Sequence, residues 1–109
     1  MGQYFVIVNL DKKEYIHPHN LGYGAKLWEI CANPIAGVLP FLLRKSSETG
    51  GGDIDFESRV AGRWAGDRIV VVGDYDKSGL YDKAEREFKE ISKMVKRDYE
   101  KFIGILSLG

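Results

Sequence analysis

The chain has 109 residues, which is the usual size of one domain and too few for two separate cores. Hydrophobic residues make up 44% of the chain and aromatic residues 12%, a composition that indicates a folded protein and excludes a disordered one. Sixteen basic residues balance sixteen acidic ones, so net charge favours neither nucleic acid nor an anionic membrane as a partner.

The single cysteine, Cys31, excludes an intramolecular disulfide and any metal site that needs several thiolates. No stretch of the sequence approaches the roughly 18 apolar residues of a membrane span. The N-terminal segment also lacks the basic start of a signal peptide. We therefore expect a cytoplasmic protein that does not associate with a membrane.

The N-terminal part of the sequence predicts a β-hairpin. Residues 4–9 and 14–16 are rich in β-branched and aromatic side chains, and the segment between them is polar. Pro18 cannot donate to a β-ladder and Gly22 favours a turn, so the strand pattern ends there. A loop is therefore expected to carry the chain away from the sheet.

Two short helices are predicted in the next segment. Apolar residues share one helical face between positions 25 and 32, and the proline at position 34 should stop that helix at about Asn33. Residues 37–44 are apolar almost throughout and predict a second, buried helix, although they include a proline. The residues that share the face of the first helix are Leu27, Trp28 and Cys31.

The sequence predicts a second hairpin after an exposed, glycine-rich loop. Residues 60–65 and 68–73 flank a Gly66-Asp67 pair, which suits a two-residue turn with glycine at positive φ. Residues 69–72 lack polar alternation, which is typical of a strand buried on both faces in the middle of a sheet.

The C-terminal part of the sequence predicts one long amphipathic helix. Apolar residues recur every three or four positions, and the charged residues between them indicate a solvated opposite face. Residues 105–108 are expected to add a last strand or to fray. The apolar stripe consists of Tyr81, Ala84, Phe88, Ile91, Val95, Tyr99 and Phe102.

The motif with the most specific chemistry is an acidic loop. Residues 74–85 match the twelve-position spacing of an EF-hand calcium loop, with Gly79 at position six, where the chain bends sharply. Alternate oxygen ligands at this spacing point inward at a hard cation, and a glutamate at position twelve supplies two oxygens. The predicted Ca²⁺ ligands are Asp74, Asp76, Ser78, Asp82 and Glu85, with the backbone carbonyl of Leu80.

Two departures from the calcium motif favour a simpler interpretation. Position eight is Tyr81 where an aliphatic residue is usual, and the preceding segment predicts a strand where a paired EF-hand has a helix. The favoured alternative is a strand-to-helix connection in which Asp76 or Ser78 caps the helix. In that case Asp82 and Glu85 complement the helix dipole.

Two histidines and an aromatic, charged segment are weaker candidates for a ligand or partner surface. His17 and His19 are close in sequence, but a metal would need further ligands, such as Cys31 or Glu14, and ordinary loop histidines are the default. Either histidine could act as a general base, but no nucleophile with a recognisable motif accompanies them.

The residues around the predicted second turn, Arg63, Trp64, Asp67 and Arg68, could recognise an anion or a partner. The favoured alternative places Trp64 in the core and pairs both arginines with nearby acids.

Three segments of the sequence together resemble a family of small proteins found in phages, archaeal viruses and some microbial genomes. They are Gly-Gln-Tyr-Phe at positions 2–5, Val-Asn-Leu-Asp-Lys-Lys-Glu-Tyr at positions 8–15 and Gly-Arg-Trp-Ala-Gly-Asp-Arg-Ile at positions 62–69. The family has no established activity, so the resemblance supplies no catalytic or binding residues. It implies an accessory or interaction role inside a microbial cell.

These observations predict an α+β domain with a mainly antiparallel sheet of about four strands, covered by the long C-terminal helix and one or two short helices. The expected order of elements is β-β-α-α-β-β-α. The leading functional hypothesis is a non-enzymatic interaction module, with an unidentified protein or a second copy of the chain as partner and calcium as the cofactor candidate.

The runner-up is a metal-assisted hydrolase or nucleotide-processing enzyme that uses the acidic loop with a histidine. A nucleic-acid binder comes third, because it would require one basic patch formed by Arg44, Lys45, Arg63 and Arg68.

Overall fold

The computed structural model describes residues 2–32 and 34–108, apart from the side chains of residues 34, 35 and 105–108. It contains a mixed, mostly antiparallel sheet in the order β3-β1-β2-β4. The strands are β1 (Phe5–Asn9), β2 (Glu14–Ile16), β3 (Ile69–Gly73) and β4 (Lys89–Glu90). The helices are α1 (Leu27–Ala32), α2 (Val38–Leu43), α3 (Leu80–Glu87) and α4 (Ser92–Leu108), with short 3₁₀ turns at Pro18–Leu21 and Pro34–Gly37. The predicted α+β class is confirmed.

The N-terminal hairpin forms as predicted. β1 and β2 pair antiparallel, with Val8 opposite Tyr15. The turn between them is fixed by Asn9, whose side-chain oxygen accepts the backbone N–H groups of Asp11 and Lys12 at 2.9 and 2.8 Å. Asparagine is suited to this position because its short side chain can replace a backbone acceptor in a turn.

The sheet is covered on both faces, and alternate residues of β1 point to opposite sides of it. Ile7 belongs to the larger core, which includes Trp64 and the buried residues of α4. Val6 and Val8 belong to a smaller core under α3. β1 therefore lies in the middle of the sheet, and four of its five residues are buried.

The predicted second hairpin is wrong. Residues 61–66 form successive turns and not a strand. Their backbone bonds to the end of α2, since the N–H groups of Gly62 and Trp64 donate to the carbonyls of Phe41 and Leu42 at 2.9 Å. Val60 and Trp64 are fully buried in the larger core. The segment is apolar because it is a buried loop, and in the sequence this apolar pattern resembles that of a strand.

The predicted strand at residues 69–73 exists as β3, but its predicted place in the middle of the sheet is wrong. β3 pairs antiparallel with β1, with Val71 opposite Ile7, and has no strand on its other side within the described residues. Its first three residues are half-buried. The unbroken apolar run reflects coverage of both faces and not a central position.

The predicted long C-terminal helix is present as the 17-residue α4, but its predicted extension back to Tyr81 is wrong, because α3 is a separate helix joined to α4 by β4. The chain is extended at Phe88, and the N–H groups of Lys89 and Ile91 donate to the carbonyls of Lys13 and Tyr15 at 3.0 Å. α3 packs in the smaller core and α4 in the larger one. A straight helix cannot cover both faces of a sheet, so the chain passes around the edge as a short strand parallel to β2.

The two short helices are present, with one difference in orientation. The apolar face of α1 predicted from the sequence points to solvent, and Ile30 is the buried residue of this helix. The predicted end of α1 at Asn33 lies outside the described residues. At the C-terminus, the backbone of residues 105–108 continues α4, so the predicted last strand is wrong.

Candidate functional site

The most exposed apolar surface of the described chain lies on α1. Trp28 is 67% exposed and Leu27 is 51% exposed, and the free thiol Cys31 is also exposed. Cys31 lies three positions after Trp28 and four after Leu27, so its side chain is next to both. Together they form a continuous surface, here called the α1 face.

The backbone around α1 explains why this face points outward. The N–H of Phe5 donates to the carbonyl of Ala25 at 2.8 Å, which fixes the chain beside the sheet just before the helix. Ile30 then enters the larger core. Since Trp28 lies two positions before Ile30, on roughly the opposite side of the helix, the burial of Ile30 turns Trp28 toward solvent.

The acidic loop is a strand-to-helix connection whose side chains accept backbone N–H groups. The N-cap position of α3 is held by Gly79, so the predicted cap by Asp76 or Ser78 is wrong. Asp76 accepts the N–H of Ser78 at 3.0 Å, and the hydroxyl of Ser78 accepts the N–H of Leu80, the first residue of α3, at 3.2 Å. Asp74 accepts the N–H of Tyr4 at 3.0 Å. Gly79 has φ of 76°, as the sharp bend at position six requires.

These hydrogen bonds occupy three of the predicted calcium ligands with backbone partners. Asp82 lies in the first turn of α3, where a carboxylate complements the helix dipole, and Glu85 is exposed on the next turn. Within residues 2–32 and 34–108, no three His, Cys, Asp or Glu side chains are grouped closely enough to hold a metal ion. Calcium binding therefore stays a prediction.

The structure brings the histidine loop next to the start of α3. Nε2 of His17 lies 3.4 Å from the hydroxyl of Tyr81, and the rings of His17 and His19 are 4.9 Å apart. Nδ1 of His17 accepts the backbone N–H of His19 at 3.2 Å. The neutral imidazole must then carry its proton on Nε2 and can donate it to Tyr81.

The ionisation of His17 and Tyr81 is shifted toward their neutral forms. Burial lowers the pKa of His17, and nearby His19 lowers it further. Burial, together with the charges of Glu85, Asp74 and other neighbours, raises the pKa of Tyr81 to about 12. Tyr81 is therefore a neutral phenol at physiological pH and has no activated phenolate to offer as a nucleophile or base.

The segment around Arg63 and Trp64 is bonded to the N-terminal hairpin. Trp64 is fully buried, and its indole N–H donates to Glu14 at 2.8 Å. Arg63 donates to both oxygens of the same carboxylate. Asp67 accepts hydrogen bonds from Lys12 and Asn9 at 2.5 and 2.8 Å.

Arg68 and Arg44 are also paired, with Asp11 and Asp53 respectively. The favoured sequence interpretation, with Trp64 in the core and Arg63 and Arg68 paired with acids, is confirmed. Three of the four residues proposed for a basic patch are thus already neutralised by neighbouring carboxylates.

Two residues that matter for a functional hypothesis could not be recognised in the sequence. Glu14 resembles any charged strand residue, and its burial depends on Arg63 and Trp64, which follow about fifty positions later. Trp28 resembles a core residue, because hydrophobicity alone does not tell which face of a short helix is covered.

No family model matches this chain, and no curated protein or solved structure shows significant similarity to it. None of the helices formed by residues 2–32 and 34–108 is long and apolar enough to cross a membrane.

Proposed function

We propose that this chain is a non-enzymatic protein-interaction module that contacts its partner through the α1 face. The observation that carries this proposal is the exposure of Trp28. Tryptophan is among the residues most often responsible for binding energy at protein interfaces. Here its indole stands on a helix beside Leu27 and Cys31, whereas the other tryptophan of the chain is fully buried.

The α1 face fits an apolar pocket on another protein. A partner that covers the indole and Leu27 would remove a continuous apolar surface from water, which favours association in proportion to the area covered. Lys26 and Glu29 flank this surface and could form the polar rim that surrounds such contacts. An accessory role, as the family resemblance implies, agrees with this proposal.

The proposal can be tested by site-specific photo-crosslinking in the producing cell. We would place a photoreactive phenylalanine analogue at position 28 and, as a matched control, at the exposed position 77 on the acidic loop. We expect one discrete protein adduct from position 28 and none of the same mass from position 77. In a second pair of experiments, the protein with the photoreactive residue at position 28 also carries either Leu27→Ser or Lys83→Ser. The first substitution should reduce the amount of the adduct, and the second should leave it unchanged.

Either of two outcomes would contradict the proposal. One is the absence of any adduct from position 28 in cells that contain the folded protein. The other is the same set of adducts from both positions, since nonspecific collisions label any exposed site.

Calcium binding at residues 74–85 is proposed as an additional property of the module. Gly79 supports it by placing the bend at position six of the motif, although Asp74, Asp76 and Ser78 already accept backbone hydrogen bonds. A ligand that binds only the folded state raises its stability. We expect millimolar calcium to raise the thermal midpoint of chelator-treated protein and to raise it much less in Glu85→Gln. An equal midpoint with and without calcium would refute the proposal.

The enzyme alternative has one structural observation in its favour, which is the approach of His17 to Tyr81 at the start of α3. A hydrolase built on this cluster would lose its activity in His17→Asn. Release of nitrophenol from simple phosphate and acyl esters, measured with and without divalent metal ions, would distinguish this alternative from a binding module.

A further inference from the structure

The outer edge of β3 is an open strand edge. The N–H of Asp74 donates to Tyr4 and the N–H of Leu10 donates to Arg68, both at 2.9 Å. In an antiparallel ladder only alternate residues of a strand bond to a given neighbour, so the backbone groups of Val70 and Val72 also face β1. The amides and carbonyls of Ile69 and Val71 therefore point away from the sheet, where no partner accepts or donates to them within the described residues.

The sequence of β3 gives this edge none of the usual protection. Natural sheets commonly shield an edge strand with an inward-pointing charge, a proline, a bulge or a covering loop. β3 is Ile-Val-Val-Val-Gly and is fully paired with β1 without a bulge. An open groove of about 450 Å³ borders the strand, lined by residues 70–73 together with Gln3, Phe5 and the start of the acidic loop.

The charges at the two ends of β3 identify the partner that fits this edge. Arg68 precedes the strand and Asp74 follows it, and both are exposed. Arg68 also pairs with Asp11 of its own chain, but its side chain is 73% exposed and can still face a second carboxylate. When two copies of β3 lie antiparallel with Val71 opposite Val71, Arg68 of each copy stands opposite Asp74 of the other. Opposite charges at facing positions stabilise a pair of strands, whereas like charges destabilise it.

We propose that β3 pairs with β3 of a second copy about a two-fold axis at Val71, joining the two sheets into one continuous sheet. In this register the outward amides and carbonyls of Val71 bond to their counterparts, and Ile69 faces Gly73. Gly73 has no side chain to obstruct that neighbour. Its carbonyl already accepts the N–H of Asp76 at 3.1 Å and has a second lone pair for the amide of Ile69. The interface is self-complementary, as a two-fold contact requires, and it does not involve the α1 face.

Charge reversal tests the register of this pairing. We would compare the sedimentation of the parent with that of Arg68→Glu, Asp74→Lys and the combined variant, and use Arg97→Glu on α4 as a distant control. We expect the parent and Arg97→Glu to be dimers. Each single reversal should weaken the dimer at least about tenfold, and the combined variant should restore it, because opposite charges again face each other.

Amide hydrogen exchange of the parent provides a readout that does not depend on the folding of variants. In the dimer, the outward amides of Ile69 and Val71 should be as well protected as the inward amides of Val70 and Val72, and dilution should remove this protection selectively. Two results would overturn the proposal. One is a monomeric parent in which the outward amides exchange freely, and the other is a dimer that persists in both single reversals.

Discussion

Glu14 shows how a single side chain can connect distant parts of this chain. It lies in β2, and its carboxylate accepts hydrogen bonds from Arg63 and Trp64. Burial acts to raise the pKa of Glu14, but these hydrogen bonds outweigh burial and hold the pKa below its usual value of 4.5. The charged form is therefore part of the folded state, and it ties the loop at residues 61–66 to the sheet.

We expect Glu14→Gln to lower the free energy of unfolding by about 2 kcal/mol, because it removes a buried charge that satisfies Arg63 and Trp64. Urea unfolding at neutral pH measures this loss. The matched control is Asp11→Asn, which breaks the exposed pair with Arg68 and should change stability little. An equal loss of unfolding free energy in the two variants would show that burial of Glu14 does not increase its contribution to stability.

The depressed pKa of His17 predicts a pH dependence of stability. Its pKa is lower in the folded chain than the ordinary 6.5, so the unfolded chain binds more protons between these two values. The contribution of neutral His17 to the free energy of unfolding should be fully present above about pH 6.5. It should decrease as the pH falls toward the pKa of His17 in the folded chain. His17→Asn, whose side-chain oxygen can still accept the N–H of His19, should flatten this part of a thermal-unfolding profile.

The control for the pH experiment is His19→Gln. It should keep most of the slope, because the main cause of the shift is the burial of His17, and that burial is unchanged. A slope that disappears in His19→Gln and survives in His17→Asn would show that His19 causes the pH dependence, which would contradict the prediction for His17.

At the scale of elements, the sequence predicted local structure well and long-range arrangement poorly. The first hairpin follows from its own residues, since Asn9 fixes the turn. The break between α3 and α4 could not be predicted, because the apolar spacing of three to four residues continues across it. The break is set by bonds from Lys89 and Ile91 to the carbonyls of the first hairpin, which no local pattern encodes.

The candidate sites show the same division. Glycine and the acidic spacing predict a turn and a helix start within residues 74–85, and both are present, although Gly79 and not Asp76 or Ser78 occupies the N-cap position. The contact between His17 and Tyr81 was not expected, because it joins residues 64 positions apart. The exposure of Trp28 depends on Ile30 being the residue that fits the core, and both are hydrophobic in sequence.

Two glycines should respond oppositely to the same substitution. Gly79 has φ of 76° and no atom of the described residues near its added Cβ, so Gly79→Ala should cost about 1–2 kcal/mol through backbone conformation alone. Gly104 lies within α4, and no described side chain comes near its added Cβ, so Gly104→Ala should stabilise the helix by roughly 0.5–1 kcal/mol. Chemical unfolding of both variants measures these values. A destabilised Gly104→Ala would contradict the helical assignment there.

At the scale of the whole molecule, the sheet separates two cores, and the two tryptophans report on different environments. Trp64 is sealed in the larger core, whereas Trp28 stands on the surface. We expect a collisional quencher such as acrylamide to quench part of the fluorescence readily and the remainder only weakly. Trp28→Phe should abolish the accessible fraction and leave a single, protected emission that shifts to longer wavelength on unfolding.

Retention of the accessible fraction in Trp28→Phe would contradict the burial of Trp64. The same variant should keep the thermal midpoint of the parent within error, because an exposed indole contributes little to the core. Circular dichroism during heating measures that midpoint.

The position of the N-terminal hairpin between two late strands has a consequence for synthesis of the chain. β1 must wait for residues 69–73, and β2 must wait for residues 89–90, before either gains its second neighbour. Contacts between residues so far apart slow folding relative to proteins with mostly local contacts. On the ribosome, a nascent chain that ends before residue 69 presents an apolar hairpin with two open edges. We expect that species, and not the finished protein, to depend on chaperones and to be the one that aggregates.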